Sequence, residues 1–292
     1  MGWRTVVVSS RSKLELKNNY LVIRGDVVKR VFIDEISVIV VENTGSSLTA
    51  SLLEHLWTKK IAIIFCDKRR NPGAQLIPYY NSHDCSSRVY AQINWDKRFA
   101  DDFWSMIIKE KIQNQAKVLY KIGKKVDGDL LMSYVDDIQT ADCSNREGHA
   151  ARVYFNALFG SGFTRDDECF VNYALNYGYS IILSVVNREV VSNGHLTQIG
   201  IFHHNVFNQF NLSCDLMEPF RPLVDYCVLS LEEHEDLQHG DKMAIIDLLN
   251  NGVYISSMRN TVLNALGIYV KSALEALDKQ DSSLVRFACY EF

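Results

Sequence analysis

Between Gly200 and Arg221 the chain reads Gly-Ile-Phe-His-His-Asn-Val-Phe-Asn-Gln-Phe-Asn-Leu-Ser-Cys-Asp-Leu-Met-Glu-Pro-Phe-Arg. An imidazole, from His203 or His204, and two carboxylates, Asp215 and Glu218, stand here among mostly apolar neighbours. Such a set resembles ligands gathered for a hard divalent cation. Asp215 and Glu218 lie three residues apart and can share one helical face. Like charges so placed repel unless a cation or an arginine compensates them, and Arg221 follows one turn later. A surface cluster of Asp, Glu and Arg is therefore a fair competing reading. Pro219 and Pro222 must kink this helix or sit in its first turn, which points to a shaped site.

A partner carboxylate is available at Glu147. Ser144-Asn145-Arg146-Glu147 has capping-box spacing, and the simplest reading of that motif alone is a glutamate satisfying a backbone N–H. Gly148, Ala150 and Ala151 keep the neighbouring surface small, so that a ligand can approach closely. Together, Glu147, His203 and Glu218 offer oxygen donors with one nitrogen. That set suits Mg2+ or Mn2+ better than zinc, which prefers thiolates and several imidazoles. The implied chemistry is metal-assisted attack on a phosphodiester by water or a 3′-hydroxyl.

Two kinds of element must position these groups. The first part of the chain is rich in short β patterns: Trp3 to Ser9, Lys13 to Lys17, Tyr20 to Arg24, Lys29 to Phe32 and Ser37 to Val41. Asn18-Asn19 and Gly25-Asp26 punctuate them as tight turns. Ser47 to Thr58 switches to a helical period, with Ser46 or Ser47 as its cap. Ile61 to Cys66 is a buried strand and Ala74 to Tyr80 a last extended piece. Asn81 to Ser87 is the best linker. From Arg88 onward the period is helical. Trp95 to Leu119 is a long amphipathic helix, broken at Asp127-Gly128-Asp129 before a short helix from Leu130 to Ile138. Further helices are expected over Gly148 to Phe159, Glu168 to Val191, His239 to Leu249 and Met258 to Asp278. The expected fold is α+β: a small antiparallel β domain over residues 1–84, then a larger all-α catalytic domain over 85–292.

Composition agrees with a folded protein of one large or two smaller domains, since 47% of the 292 residues are hydrophobic and 23% charged. No apolar run is long enough to span a bilayer, and Met1 to Val8 reads as a strand rather than a signal segment, so a cytoplasmic location is expected. Seven scattered cysteines without a Cys-x-x-Cys pair argue against a zinc ribbon and a disulfide framework, and predict reduced, mostly buried thiols. Residues 1–100 carry 15 Lys/Arg against 9 Asp/Glu, whereas residues 101–292 carry 16 against 26. This asymmetry fits two domains. It falls short of a basic-domain signature, so any nucleic-acid contact requires local concentration of charge or a basic partner.

Two blocks carry a family resemblance. Ser144 to Phe155, with its Glu-Gly-His-Ala-Ala core, and Gly200-Ile201-Phe202-His203 followed by Asp215 to Pro222 resemble the signature motifs of the CRISPR-associated integrase-nuclease family Cas1. Gly2 to Val8 and Ile64 to Asp67 are similar to the branch that accompanies type II systems. The resemblance runs along essentially the whole chain. It implies that Glu147, His203 and Glu218 are the metal-binding catalytic residues, that His204 is a neighbour, and that Asp215 supports the site indirectly. It further implies a Mg2+ or Mn2+ cofactor, a homodimer formed through the β domain, and double-stranded DNA as prespacer and CRISPR repeat. The implied partners are the small protein Cas2 and further type II adaptation proteins. The activity so implied is endonuclease and integrase chemistry in CRISPR adaptation. A non-catalytic DNA-binding or assembly subunit is the alternative, and ignoring the resemblance leaves a hydrolase of small phosphoesters. Arg146, Arg152 and Arg221 are candidates for either phosphate contacts or salt bridges to the carboxylates.

Overall fold

A computed structural model describes residues 2–78 and 82–290. The α+β class and the order of its parts are as expected, and the strand pairing is where the structure departs from expectation. The first strands are β1 (Arg4–Val8), β2 (Lys13–Lys17), β3 (Tyr20–Arg24), β4 (Val28–Phe32), β5 (Ile36–Val41) and β6 (Ser47–Leu48). Helix α1 (Ala50–Thr58), β7 (Ala62–Cys66) and β8 (Pro72–Gln75) follow. They make two sheets, ordered β4-β3-β2-β6 and β1-β5-β7-β8. The first is mainly an antiparallel meander, turned at Asn18 and Asn19, which both take the positive φ that a tight hairpin demands. In the second, β1, β5 and β7 are parallel and only β8 is antiparallel. The expectation of a purely antiparallel domain is corrected there. Parallel neighbours need a crossover, which α1 supplies between β5 and β7.

All six residues of β5 are buried. Val38 and Val40 face the helical core, whereas Ile39 and Val41 face a smaller core with Leu14, Leu21, Leu52 and Leu56. A strand covered on both sides reads as a continuous apolar run, and periodicity alone does not reveal its pairing.

The helices are α2 (Cys85–Ile93), α3 (Lys97–Lys121), α4 (Lys125–Asp136), α5 (Arg146–Phe159), α6 (Phe170–Ser192), α7 (Asn211–Met217), α8 (Arg221–Leu229), α9 (His239–Asp247) and α10 (Val262–Lys279). The region is not wholly α: β9 (Gly252–Ile255) pairs with β10 (Met258–Thr261) and β11 (Ala288–Cys289). The predicted helix from Met258 therefore begins only at Val262, where the Thr261 hydroxyl accepts from Asn264 N. Its cap chemistry outweighs the apolar pattern before it. Likewise α1 is capped by Thr49, not by Ser46 or Ser47. Asp127-Gly128-Asp129 lies inside α4. The break falls instead at Gly123, with φ +79°, and Gly128 is small because a Cβ there would stand 2.6 Å from the Tyr120 ring. Of the linker read at Asn81 to Ser87, Asn81 lies outside the described residues, as do Tyr79 and Tyr80 of the expected extended piece, and α2 already starts at Cys85. The seven cysteines are free, but only Cys66 is buried and Cys143 and Cys289 are exposed. Among the described residues no helix is long and apolar enough to cross a membrane.

Helix α6 ties the sheet to the helices. Arg188 donates to the Ser37 carbonyl at 3.0 Å and hydroxyl at 2.8 Å, and Asn187 donates to Gln75 at 3.1 Å. Because Ile39 is fully buried in the smaller core, Ile39→Ala is expected to lower stability by roughly 2–5 kcal/mol, read as a lower midpoint in urea denaturation.

Candidate active site

Glu147 enters the site from the first turn of α5. Asp142 accepts from Arg146 N at 2.8 Å and Glu147 N at 2.9 Å, and the Asn145 side chain accepts from Gly148 N. These two residues cap the helix, so the capping-box reading of Ser144 and Glu147 is corrected: Ser144 Oγ is buried without a hydrogen bond and Glu147 turns inward. Gly148 has a different reason than access. A Cβ there would meet the Asn145 cap at 2.7 Å.

Glu218 opens a 3-10 turn (Glu218–Phe220) between α7 and α8. Pro219 forces that break, as its position predicts, and its carbonyl is held by Asn114 Nδ2 at 3.2 Å and the Tyr290 hydroxyl at 3.1 Å. The Glu218 side chain thus projects from a fixed corner. Arg221 Nε donates to its Oε1 at 2.8 Å and lies 4.5 Å over the Tyr179 ring.

The two carboxylates, 71 positions apart in the sequence, meet at Lys111 of α3. Its ammonium lies 2.6 Å from Glu147 Oε1 and 2.6 Å from Glu218 Oε2. Burial opposes charge on Glu218, but Arg221 and Lys111 outweigh it and hold the carboxyl down at about 2. Burial likewise opposes the Lys111 charge, and Glu218 and Glu147 overcome it so that the ammonium is held above its ordinary value. Sequence reading overlooked Lys111, although a signal was there. Trp104, Ile108, Lys111 and Gln115 fall on one helical face, and a charge in that row occupies a core position.

His203 sits across from the pair. Its Nδ1 is 2.5 Å from Asp215 Oδ1, and its ring meets Trp104 edge-on at 5.6 Å. Asp215 is fully buried and also accepts from the backbone N–H groups of Ile201, Phe202 and His203. Its oxygens are used up in shaping this loop, so it orients the imidazole and leaves Nε2 as the available donor atom. Gly200 is required there, since a Cβ would stand 2.4 Å from the His203 carbonyl and 2.8 Å from Asp215 Oδ2. The hydrogen bond to Asp215 is the main cause that raises the His203 pKa; burial opposes it, and Glu218 and Glu147 add to the rise. His204 is exposed. Arg146 pairs with Asp137 at 3.1 Å, and Arg152 is exposed.

Among the described residues, no three His, Cys, Asp or Glu side chains are already closed around one point. Two carboxylates are gathered with an ammonium between them, and the imidazole is near enough to feel both charges. A divalent cation nevertheless suits this donor set. Lys111 marks a position of positive charge that both carboxylates reach, one oxygen of each lying 2.6 Å from its ammonium.

The family described as CRISPR associated protein Cas1 matches residues 5–265. The chain belongs to the Cas1 family. It is 33% identical over 277 residues to a CRISPR-associated endonuclease Cas1 of Neisseria meningitidis serogroup C (strain 8013), covering 93% of this chain and 91% of that protein. Two solved structures share the Cas1 fold seen here. A casposase bound to integration product has a TM-score of 0.77 at 17% identity, covering 96% of this chain and 92% of that one. A Cas6-RT-Cas1–Cas2 complex has a TM-score of 0.73 at 18% identity, covering 97% of this chain and 36% of that longer chain.

Arg221 is itself braced from behind. The Tyr179 hydroxyl donates to buried Asp225, beside Tyr154. Burial is the first cause that raises Asp225 to about 6, against hydrogen bonds from Tyr179 and Tyr154 that lower it. A carboxyl raised on folding contributes most below its ordinary value of 3.8, and that contribution is lost as pH rises through about 6. Asp225→Asn should remove this loss. Relative to the variant, the wild type is expected to lose roughly 2–3 kcal/mol between pH 4 and pH 7, read from urea unfolding of both proteins at the two pH values.

Proposed function

We propose that this Cas1 family member is a metal-dependent DNA endonuclease and integrase. It would insert short DNA fragments into a CRISPR array by attack of a 3′-hydroxyl on a repeat phosphodiester. The observation that carries this is the meeting of Glu147 and Glu218 on one cation position, with His203 near enough to feel both charges. The endonuclease name of the Neisseria relative supports the reaction class, and the casposase and Cas2-containing assemblies with this fold support integration and a Cas2 partner.

Glu147 Oε1, Glu218 Oε2 and His203 Nε2 would hold Mg2+ or Mn2+, a hard cation served by carboxylate oxygens. Bound there, it would polarise the phosphoryl group and stabilise charge on the attacking and leaving oxygens. The chain's own groups do the rest. Asp215 keeps the proton of His203 on Nδ1, so the imidazole presents Nε2. Arg221 neutralises the Glu218 oxygen left outside the cation position and fixes the rotamer of that carboxylate. Trp104, stacked at 4.6 Å on Phe202, walls the imidazole on one side.

In this reading residues 85–292 are the catalytic domain and residues 1–84 the dimerisation domain, and double-stranded DNA is the substrate. Strand β4 suits the second role: it ends its sheet, and Val27 and Val28 are exposed beside that edge. Dimerisation and Cas2 would supply the positive track that an acidic catalytic half lacks. Backbone contacts along such a track would make DNA binding salt-sensitive.

The test is integration of labelled fragments into a supercoiled plasmid carrying a repeat, with Cas2 and Mg2+ or Mn2+. Glu147→Ala, His203→Ala and Glu218→Ala are each expected to reduce product by at least about a hundredfold, as loss of a transition-state contact of about 2.7 kcal/mol would. Undiminished product from all three folded variants would leave the assembly-subunit role instead.

A further inference from the structure

Lys111 is a charged residue in the core row of α3. Trp104 and Ile108 on the same face are buried, and the Lys111 side chain is only 10% exposed. An ammonium so placed persists only because Glu147 and Glu218 compensate it. Those two contacts use Glu147 Oε1 and Glu218 Oε2. Arg221, by contrast, takes the other oxygen of Glu218 and stacks on Tyr179. The two cations beside Glu218 are thus differently held. Arg221 is held over the Tyr179 ring and by a directed hydrogen bond, whereas Lys111 is a point charge on a four-carbon stem, 2.6 Å from one oxygen of each carboxylate.

Resting on the metal-centre reading above, we propose that Lys111 is an exchangeable internal counter-ion of the catalytic carboxylates. In the metal-free chain it keeps Glu147 and Glu218 together. A divalent cation, with bonds of roughly 2.0–2.2 Å to the same two oxygens, fills the same space, so the ammonium must swing aside as the metal enters. Metal binding is then a cation exchange. Arg221 stays throughout, because its oxygen is not the one exchanged. Lys111 therefore works in opposite senses in the two states: it stabilises the empty site and competes with the metal. A merely structural strut would hold the carboxylates for the metal, and losing it would weaken metal binding.

The sign of the effect on affinity separates these roles without reference to activity. Mn2+ binding to the full-length chain is measured by electron paramagnetic resonance of the free ion, and thermal midpoints are taken in chelator and in excess Mn2+. Lys111→Met is expected to bind Mn2+ about tenfold tighter or more, a change of roughly 1.4 kcal/mol. Its midpoint should fall below wild type in chelator and recover with Mn2+. Lys111→Gln, uncharged but still able to hydrogen-bond, carries the same expectation should the methionine variant not fold. Lys111→Arg, which retains the charge, should not bind more tightly than wild type. Equal or weaker Mn2+ binding by the folded uncharged variants overturns the exchange. No Mn2+ binding by wild type, or undiminished binding by Glu147→Gln, overturns the metal-centre reading itself and is distinguishable from failure of the exchange alone.

Discussion

Two carboxylates cannot share a half-buried space unless a positive charge shares it with them, and here that charge is the ammonium of Lys111. Helix α3 brings it in from a core face, α5 brings Glu147 at its first turn, and the 3-10 corner at Pro219 brings Glu218. Each of the three segments would be electrostatically unfavourable without the others. A buried lysine needs its anions, and Glu218, nearly fully buried, needs its cations. The helices around the site are arranged so that these charges meet.

The imidazole is held by other means. His203 reaches the centre through a loop folded around one carboxylate, Asp215, which accepts from three successive backbone N–H groups and the ring itself. Hydrogen bonds fix this half of the site and ion pairs fix the carboxylate half. Behind both stands a layer of aromatic contacts: Trp104 against His203, and Tyr179 beneath Arg221. Such packing limits the side-chain freedom that a loosely supported site would retain.

Much of this was legible in the residues. The carboxylates, the imidazole, the kink at Pro219 and the helical nature of the second part all have local signatures. What local pattern could not supply was partnership over distance. Ser144 and Glu147 have capping-box spacing, yet Asp142 and Asn145 do the capping, because Glu147 has a stronger electrostatic partner in Lys111. The parallel pairing of β1, β5 and β7 was hidden for the same reason. Burial on both faces erases the alternation that reports pairing. Gly128 illustrates the converse: a residue that reads as a breaker is retained inside α4 for its close approach to Tyr120.

The strand Ile36–Val41 has side chains in two cores at once, with Val38 and Val40 on one side and Ile39 and Val41 on the other. Neither core can be completed while that strand is unpaired. The β1-β5-β7 ladder, which joins segments some tens of residues apart in the sequence, is thus the shared floor of both cores. A loosening of this one strand therefore removes side chains from both cores at once, and the helices that carry the charges rest on one of them.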